Sequence, residues 1–547
     1  MSLPRASVIV VATLATLVMT EAAGGQAPKF LLDDPISRDA DDLPMPTPAE
    51  IERSALYDLF ANSFAFKPED EIPVAMNVNT LGEVPDSSWF TNRIGVRDMS
   101  IEELVRGPAV HDGPTGRLTV VDGKFSGITP GFAVRDGRGD LYFIKFDPAE
   151  YPRLSTAADV IGSKFFHAFG YNVPSNYIYD IQPDELDISP DAEVVLTIER
   201  RRVPMQRTHL DKILSTAARL PDGRVRVVAS LGVEGAPVGP FRFFGTRSDD
   251  ANDIFPHQHR RELRGYRVLS ALLNHDDSRS FNTLDTYVGE DGEGHLKHYL
   301  LDFSSTLGSG SDRRRRIAPQ NPRAGNEYII EFTPAIVTAL TLGIWERPWM
   351  GVPYAYPLHP EAGRIEADFF EPARWKPEYP NPAFARMLLD DAFWATKIVA
   401  RLSDEAIRAL VQTGRYEDSD TVEFLARIVM QRRDKIVAYY FSQLNPLDGF
   451  RVDDGVLLFD NLGERAGLAT ADAYEYEWFT FDNDTRDLAG IGSGETSDTA
   501  VSLPSSADRA DADYLMVRLS TRAPGAPTWR RSVDVYIRLG AAPAVVG

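Results

Sequence analysis

The sequence predicts an α+β fold: a largely antiparallel β region, then a helical region, then a second β region. Three observations carry this. Residues 117–231 hold short β-rich runs around one helical stretch, residues 259–444 are dominated by helical spacing, and the chain beyond residue 449 returns to short β-rich runs. The opening order β-β-β-α-β-β lacks the strand–helix alternation of a doubly wound parallel sheet.

Taken in order, residues 1–27 carry one early positive charge at Arg5, an apolar run over 8–19, and small residues at Ala22, Ala23, Gly24, Gly25 and Ala27. That is the layout of a secretory signal, and its apolar run is short of the ~20 residues a membrane span requires. Cleavage on export is therefore expected, giving a secreted or periplasmic protein with no stable membrane insertion afterwards. Residues 28–110 read as an N-terminal extension. Residues 29–48 are rich in Asp and Pro without a period, 49–64 look helical through Ile51, Leu56, Leu59 and Phe60, and 74–94 mix Pro, Asn and aromatics. Ser100 followed by Glu103 is a capping-box pattern that opens a short helix.

Residues 118–121, 131–134 and 141–146 are β-rich and separated by Gly- and Asp-containing turns, which predicts three successive antiparallel strands. Ala158, Ile161, Phe165 and Phe169 then sit at helical spacing over 155–169, and Gly170 stops the helix. Further strands are expected at 173–181, 193–198, 225–231 and 241–244. Helices are expected at 259–273, 384–402, 404–413 and 421–444. Residues 445–449 read as a linker, after which strands at 456–459, 474–481, 514–519 and 533–537 predict a β-sandwich-like C-terminal domain over 450–547.

Composition narrows the function. At 547 residues the chain is long enough for several structural units. Lys plus Arg number 58 against 80 Asp plus Glu, a net charge of −22. A field of that sign repels phosphate backbones, so no nucleic-acid partner is expected, and the only strong basic cluster is Arg313-Arg314-Arg315-Arg316. The absence of cysteine excludes disulfides, thiolate nucleophiles, iron–sulfur ligation and Cys-type zinc sites. No G-x-S-x-G elbow supports a serine hydrolase.

Five residues in order then carry chemistry. Lys145 ends the third predicted strand, Asp159 lies in the next helix, His275-Asp276-Asp277 is followed by Asn282, and Asp302-Phe303-Ser304 closes the apolar run Tyr299-Leu300-Leu301. Asp277 and Asn282 have the D-x-x-x-x-N spacing of a phosphotransferase catalytic loop. On these motifs the chain, over residues 117–444, resembles the protein-kinase-like superfamily, nearest its atypical HipA-like and CotH-like kinases. The resemblance implies a two-lobed core, with an antiparallel β N-lobe over 111–247 and a mainly helical C-lobe over 248–447. It implies ATP and Mg2+ as cofactors and a protein or glycan hydroxyl as acceptor.

The chemistry explains why these residue types are wanted. Phosphoryl transfer concentrates negative charge on three phosphates, so the protein must supply a cation and hold magnesium between phosphate oxygens. By the resemblance Lys145 supplies the cation, Asp159 orients it, Asn282 and Asp302 hold metal, and Asp277 handles the proton of the attacking hydroxyl. Lys124, Gly127 and Gly131 border the loop between the first two strands, where backbone N–H groups at the glycines can approach phosphates. The chain departs from the common kinase pattern in four places. It lacks G-x-G-x-x-G, and it has Asp159 where Glu is usual, Asp276 where Arg is usual and Ser304 where Gly is usual. A shorter carboxylate at 159 must sit nearer the lysine.

Each of the five residues alone also suits a structural role: a surface lysine, a helix-start carboxylate, turn chemistry. Their order is what favours the kinase. The rival reading is a catalytically inactive kinase-like protein that binds or builds the cell envelope, which the scarcity of ATP outside the cytoplasm keeps open. Transfer of AMP in place of phosphate is a third. Among weaker signals, His257-Gln258-His259 reads as a solvated helix start without a third metal ligand, and Asp482, Asp484 and Asp487 fail the EF-hand pattern.

Overall fold

The computed structural model describes residues 27–52, 54–65, 71–124, 131–196, 201–310, 325–347, 349, 361–509 and 512–547. The apolar run at 8–19, Gly127 and Arg313–Arg316 lie outside the described residues. The architecture is mixed α and β.

A seven-stranded sheet leads. Its strands are β1 (Thr119–Lys124), β2 (Gly131–Arg135), β3 (Leu141–Phe146), β4 (Asn176–Ile181), β5 (Asp187–Leu196), β6 (Arg201–Pro204) and β7 (Val225–Leu231), in spatial order β4-β7-β3-β2-β1-β5-β6. The three strands expected first are present and antiparallel, and β1 also pairs with β5 in parallel after a bulge at Val120/Asp122. Alternation explains the faces. Val120, Phe132, Val134, Tyr142, Ile144, Phe146, Val225 and Val227 form one buried cluster with Leu210, Ile213 and Leu214 of a covering helix. Lys145 is therefore on the opposite face.

In chain order the α-helices are α1 (Ala55–Phe60), α2 (Ile101–Arg106), α3 (Leu154–Phe169), α4 (Arg207–Leu214), α5 (Arg261–Leu273), α6 (Phe332–Leu340), α7 (Pro382–Ala385), α8 (Leu389–Ala400), α9 (Asp404–Gln412), α10 (Ser419–Phe441), α11 (Leu462–Arg465) and α12 (Ser506–Arg509). Helix α2 opens on the expected capping box: Ser100 Oγ accepts from the Glu103 N–H at 3.1 Å, and the Glu103 carboxylate accepts from the Ser100 N–H at 2.8 Å. The largest apolar cluster joins α3, α5, α8, α9 and α10 to Trp89 and Phe90 of the extension. A small antiparallel sheet joins β8 (Ala236–Gly239), which precedes α5, to β9 (Thr283–Val288) and β10 (His295–Leu300), which follow it, in the order β10-β9-β8.

Eight strands follow α10: β11 (Leu447–Asp453), β12 (Val456–Asn461), β13 (Ala473–Phe481), β14 (Leu488–Thr496), β15 (Ala500–Ser502), β16 (Tyr514–Arg522), β17 (Val533–Arg538) and β18 (Ala544–Val545). They form two antiparallel sheets, β11-β12-β15 and β14-β13-β16-β17-β18. Leu447, Leu457, Phe459, Tyr474, Trp478, Leu515, Val517 and Ile537 from both sheets share one core.

Two expectations are corrected. Residues 241–244 are not a strand: Phe241 and Phe243 are buried as a loop in the helical core, and the strand lies earlier, at β8. Residues 445–449 are not a free linker. The Asn445 amide oxygen accepts from Thr521 Oγ1 at 2.8 Å, its Nδ2 donates to the Arg531 carbonyl, and β11 begins at Leu447.

Candidate active site

The site is built where β3, α3 and the chain leaving β10 converge. Lys145 stands on an interior strand, paired on one side with Gly131 and on the other with Val228. A side chain at Gly131 would lie 2.5 Å from the Ile144 carbonyl, so glycine is required there by strand packing. Helix α3 is held against this face by Asp147, a buried carboxylate just past β3. Its two oxygens accept five hydrogen bonds: from the N–H groups of Arg153, Ser155 and Thr156, and from the hydroxyls of Ser155 and Thr156. This satisfies the orphan donors of the first turn and fixes the direction in which α3 leaves the sheet.

Asp159, in the second turn of α3, is 1 % exposed and makes four contacts. Its Oδ2 lies 3.3 Å from Lys145 Nζ. Its Oδ1 accepts from the Phe303 N–H at 3.1 Å and from Asn176 Nδ2 at 3.0 Å, and Asn176 Nδ2 also reaches the Asp159 carbonyl at 3.3 Å. Lys145 Nζ is in turn 3.0 Å from Asp302 Oδ1. One ammonium thus bridges two carboxylates from separate elements.

The electrostatics follow from this geometry. Burial works to lower the Lys145 pKa, but Asp159 and Asp302 outweigh it and raise it, so the amine stays charged. Burial likewise works to raise that of Asp302, but the Lys145 ammonium and the Ser304 hydroxyl, which donates to Oδ1 at 2.6 Å, hold it at about 2. Asp159 is raised, first by burial and then by the charge of Asp302, against the pull of Lys145.

The second part of the site follows α5. Asn274 ends that helix in the left-handed region at φ 51°. His275 is fully buried against Phe166, Tyr266 and Phe303, and burial lowers its pKa to about 4, so it is a neutral core residue. Asp277 is partly exposed. Arg279 Nε lies 2.6 Å from its Oδ1, misaligned for a hydrogen bond, and Arg279 Nη2 donates to Oδ2 at 3.2 Å. Burial raises Asp277 to about 7; Arg279 opposes this and the charges of Glu378 and Asp302 add to it. Asn282 Nδ2 donates to the Asp277 carbonyl at 2.8 Å, which leaves its amide oxygen as the free end of the side chain.

The β9–β10 hairpin connects the two parts. Thr283 pairs with Leu300, and the Leu301 N–H donates to the Asn282 carbonyl at 2.8 Å, so Asn282 sits beside the residue that precedes Asp302. Asp302 itself has φ 55°, a left-handed turn that an L-residue seldom adopts and that functional segments favour.

Of the residues singled out in the sequence, Lys145, Asp159 and Asp302 are in direct contact, and Asp277 with Asn282 adjoins them through Leu301. Lys124 is at the end of β1, opposite Gly131. Sequence reasoning missed Asn176, Asp147 and Arg279. His257-Gln258-His259 is corrected: it is a buried 3-10 turn. His257 Nε2 lies 2.7 Å from Asp253, and His259 Nδ1 2.6 Å from Arg264. Among the described residues no group of three His, Cys, Asp or Glu side chains is placed to hold a metal ion. None of their helices is long and apolar enough to cross a membrane.

No family model matches the chain, and no curated protein matches it. Among solved structures, the chain is distantly similar to the Helicobacter pylori proinflammatory kinase CtkA. It is 12 % identical over 58 % of this chain and 91 % of that one, with a TM-score of 0.29.

Proposed function

We propose that the chain is an exported, kinase-like phosphotransferase that moves a phosphoryl group from Mg-ATP to a protein or glycan hydroxyl. The observation that carries this reading is the Lys145 ammonium set between the Asp159 and Asp302 carboxylates, 3.3 and 3.0 Å away. A partly open carboxylate held at about 2 by a lysine that it shares with a second, buried carboxylate supports this reading, since strongly perturbed groups gather at functional sites.

The donor set fits magnesium. Asp302 offers an ionised carboxylate, 38 % exposed, and Asn282 an amide oxygen turned away from its own hydrogen bond. Hard oxygen donors in small number suit an ion that retains several waters. Asp302 and Asn282 would hold the magnesium ion, which would supply neutralisation of the charge that builds up on the phosphates in transfer.

The chain's own residues would do the rest. Lys145, charged throughout the neutral range, would bind and orient the phosphates. Asp159 fixes where that ammonium points. Asp277, with its pKa near neutrality and one oxygen poorly engaged by Arg279, would accept the proton of the acceptor hydroxyl. Arg279 limits the swing of that carboxylate.

Thermal unfolding with and without Mg-ATP tests the reading. The expected result is a rise in the melting midpoint that is lost in Lys145→Ala and in Asp302→Ala. No rise at saturating nucleotide would favour the inactive envelope protein, and mass analysis of an incubated acceptor separates phosphate from AMP transfer.

A further inference from the structure

The turn that carries Asn282 leaves a large ring in the open. Ser280 and Asn282 are both buried, and each is tied inward: Ser280 Oγ donates to Asp58 of α1 at 3.0 Å, and Asn282 Nδ2 to the Asp277 carbonyl at 2.8 Å. Phe281, between them, is 51 % exposed. Leaving a phenylalanine in water forgoes hydrophobic stabilisation, and here it is forgone on a firmly held turn next to the candidate site.

A second ring stands nearby. The Glu378 N–H donates to the Asp276 carbonyl at 2.7 Å, which holds Tyr379 beside the same loop. The Arg279 guanidinium lies 4.6 Å from the Tyr379 ring and 5.9 Å from the Phe281 ring, and its Nη2 donates to Asp277 at 3.2 Å. Arg279 Nε has no hydrogen-bond partner among the described residues. Phe281, Arg279 and Asp277 thus make one continuous patch: an open ring, a fixed cation and a carboxyl group.

The chemistry of the patch selects its ligand. The face of an aromatic ring carries partial negative charge and attracts polarised C–H groups. A guanidinium and a carboxyl group bond hydroxyls. A pyranose presents both partners, with C–H groups on one face and hydroxyls around its rim. The charges around Asp277 are those of Glu378 and Asp302 against Arg279, which disfavours an acidic acceptor. Capture of a peptide by strand addition finds no free edge here, because β9, the strand that leaves this turn, has β10 and β8 on its two sides.

We propose that the acceptor is a neutral glycan and that Phe281 is its platform: one pyranose lies on the ring, and Arg279, held by Tyr379 and Asp277, bonds its hydroxyls. The proposal rests on the phosphotransferase reading for what happens to the sugar but not for its binding. On that reading a sugar hydroxyl oxygen bonds the γ-phosphorus as the bond from that phosphorus to the bridging oxygen breaks, the hydroxyl proton passes to Asp277, and ADP leaves.

The experiment titrates cellotetraose, chitotetraose, maltotetraose and dephosphorylated casein into the full chain by calorimetry, for the wild type and for Phe281→Ala, Phe281→Leu and Phe281→Trp. At least one tetrasaccharide is expected to bind the wild type. Phe281→Ala and Phe281→Leu should bind that saccharide about tenfold more weakly, and Phe281→Trp at least as tightly as the wild type, because the ring face and not apolar bulk makes the contact. Melting midpoints of the three variants are expected to match the wild type, since the side chain is open to solvent. Failure of all three saccharides to bind would overturn the proposal, and binding of casein alone would replace it with a protein acceptor. Equal affinity in Phe281→Leu and the wild type would overturn it too. Mg-ATP is titrated separately: if the wild type does not bind it, the phosphotransferase reading fails, and the saccharide titrations still decide the role of Phe281.

Discussion

At the scale of the residue, the site separates two carboxylates by their surroundings. Asp302 is held at about 2 beside Lys145, whereas burial lifts Asp277 to about 7. A carboxylate that accepts a proton must be ionised to act, so turnover is expected to rise with pH through about 7 and then level, with no limb from Asp302 above pH 4. The pH dependence of kcat checks this. On the proposed phosphotransferase reading, which sets this side chain at the acceptor, Asp277→Asn is expected to lower kcat by about 10²–10⁴ with KM for ATP little changed. That Lys145, Asp159, Asp277, Asn282 and Asp302 belong together was legible in the sequence from their order and from the D-x-x-x-x-N spacing, and the structure brings them to one place. Asn176 and Asp147 were not legible there. An Asn at the start of a strand and an Asp before a Pro read as turn chemistry, and their real partners depend on which strand lies beside β3 and where α3 crosses it.

At the scale of the element, α3 shows why local propensity is a partial guide. Gly162 sits in the interior of α3, where glycine costs about 1 kcal/mol relative to alanine. A Cβ there would lie 2.6 Å from Phe303 Cβ and 3.1 Å from Thr306 Cγ2. The glycine lets the segment after Asp302 lie directly on the helix, which is how the Phe303 N–H reaches Asp159. Gly162→Ala, usually stabilising in a helix, is thus expected to destabilise by about 1–3 kcal/mol, and to weaken Mg-ATP binding as well. Urea unfolding and calorimetry measure the two effects. Asp147→Ala is expected to cost about 3 kcal/mol or more, since it strands three buried or part-buried N–H groups at once. Elements with strong apolar periodicity were readable: α3, β3, β7 and α10 fall within a few residues of their expected bounds. Strand β14 was invisible, because Leu488–Thr496 is mostly Gly, Ala and Ser and is largely exposed. It exists through its pairing with β13, whose Tyr476 and Phe479 side chains lie over Gly494 and Gly490. The misread run at 241–244 is the converse case, an apolar alternation used to bury two rings from a loop.

At the scale of the whole molecule, the extension binds distant parts together. Met45 bridges to Gly294 beside β10, Phe90 to Tyr171 beyond α3, and Lys397 of α8 pairs with both Glu83 of the extension and Asp448 of β11. At its start, Phe30 is 3 % exposed and packs against Phe481, Tyr514 and Tyr536, while its N–H donates to Asn483 Oδ1 at 2.8 Å. Residues 29–30 therefore complete the core of a sheet formed more than 400 positions later, a role that could not be read from a stretch with no period of its own. Truncating a buried phenylalanine costs about 3–5 kcal/mol, so Phe30→Ala is expected to loosen the five-stranded sheet. Because stability is local, the effect should be confined. Amide exchange should quicken in β16 and β17 of the variant and stay unchanged in β3 and α3, where Lys145 and Asp159 reside. Quickening spread evenly over the chain would mean that the two β regions unfold as one unit, and no change would mean that Phe30 contributes nothing to the sheet it covers.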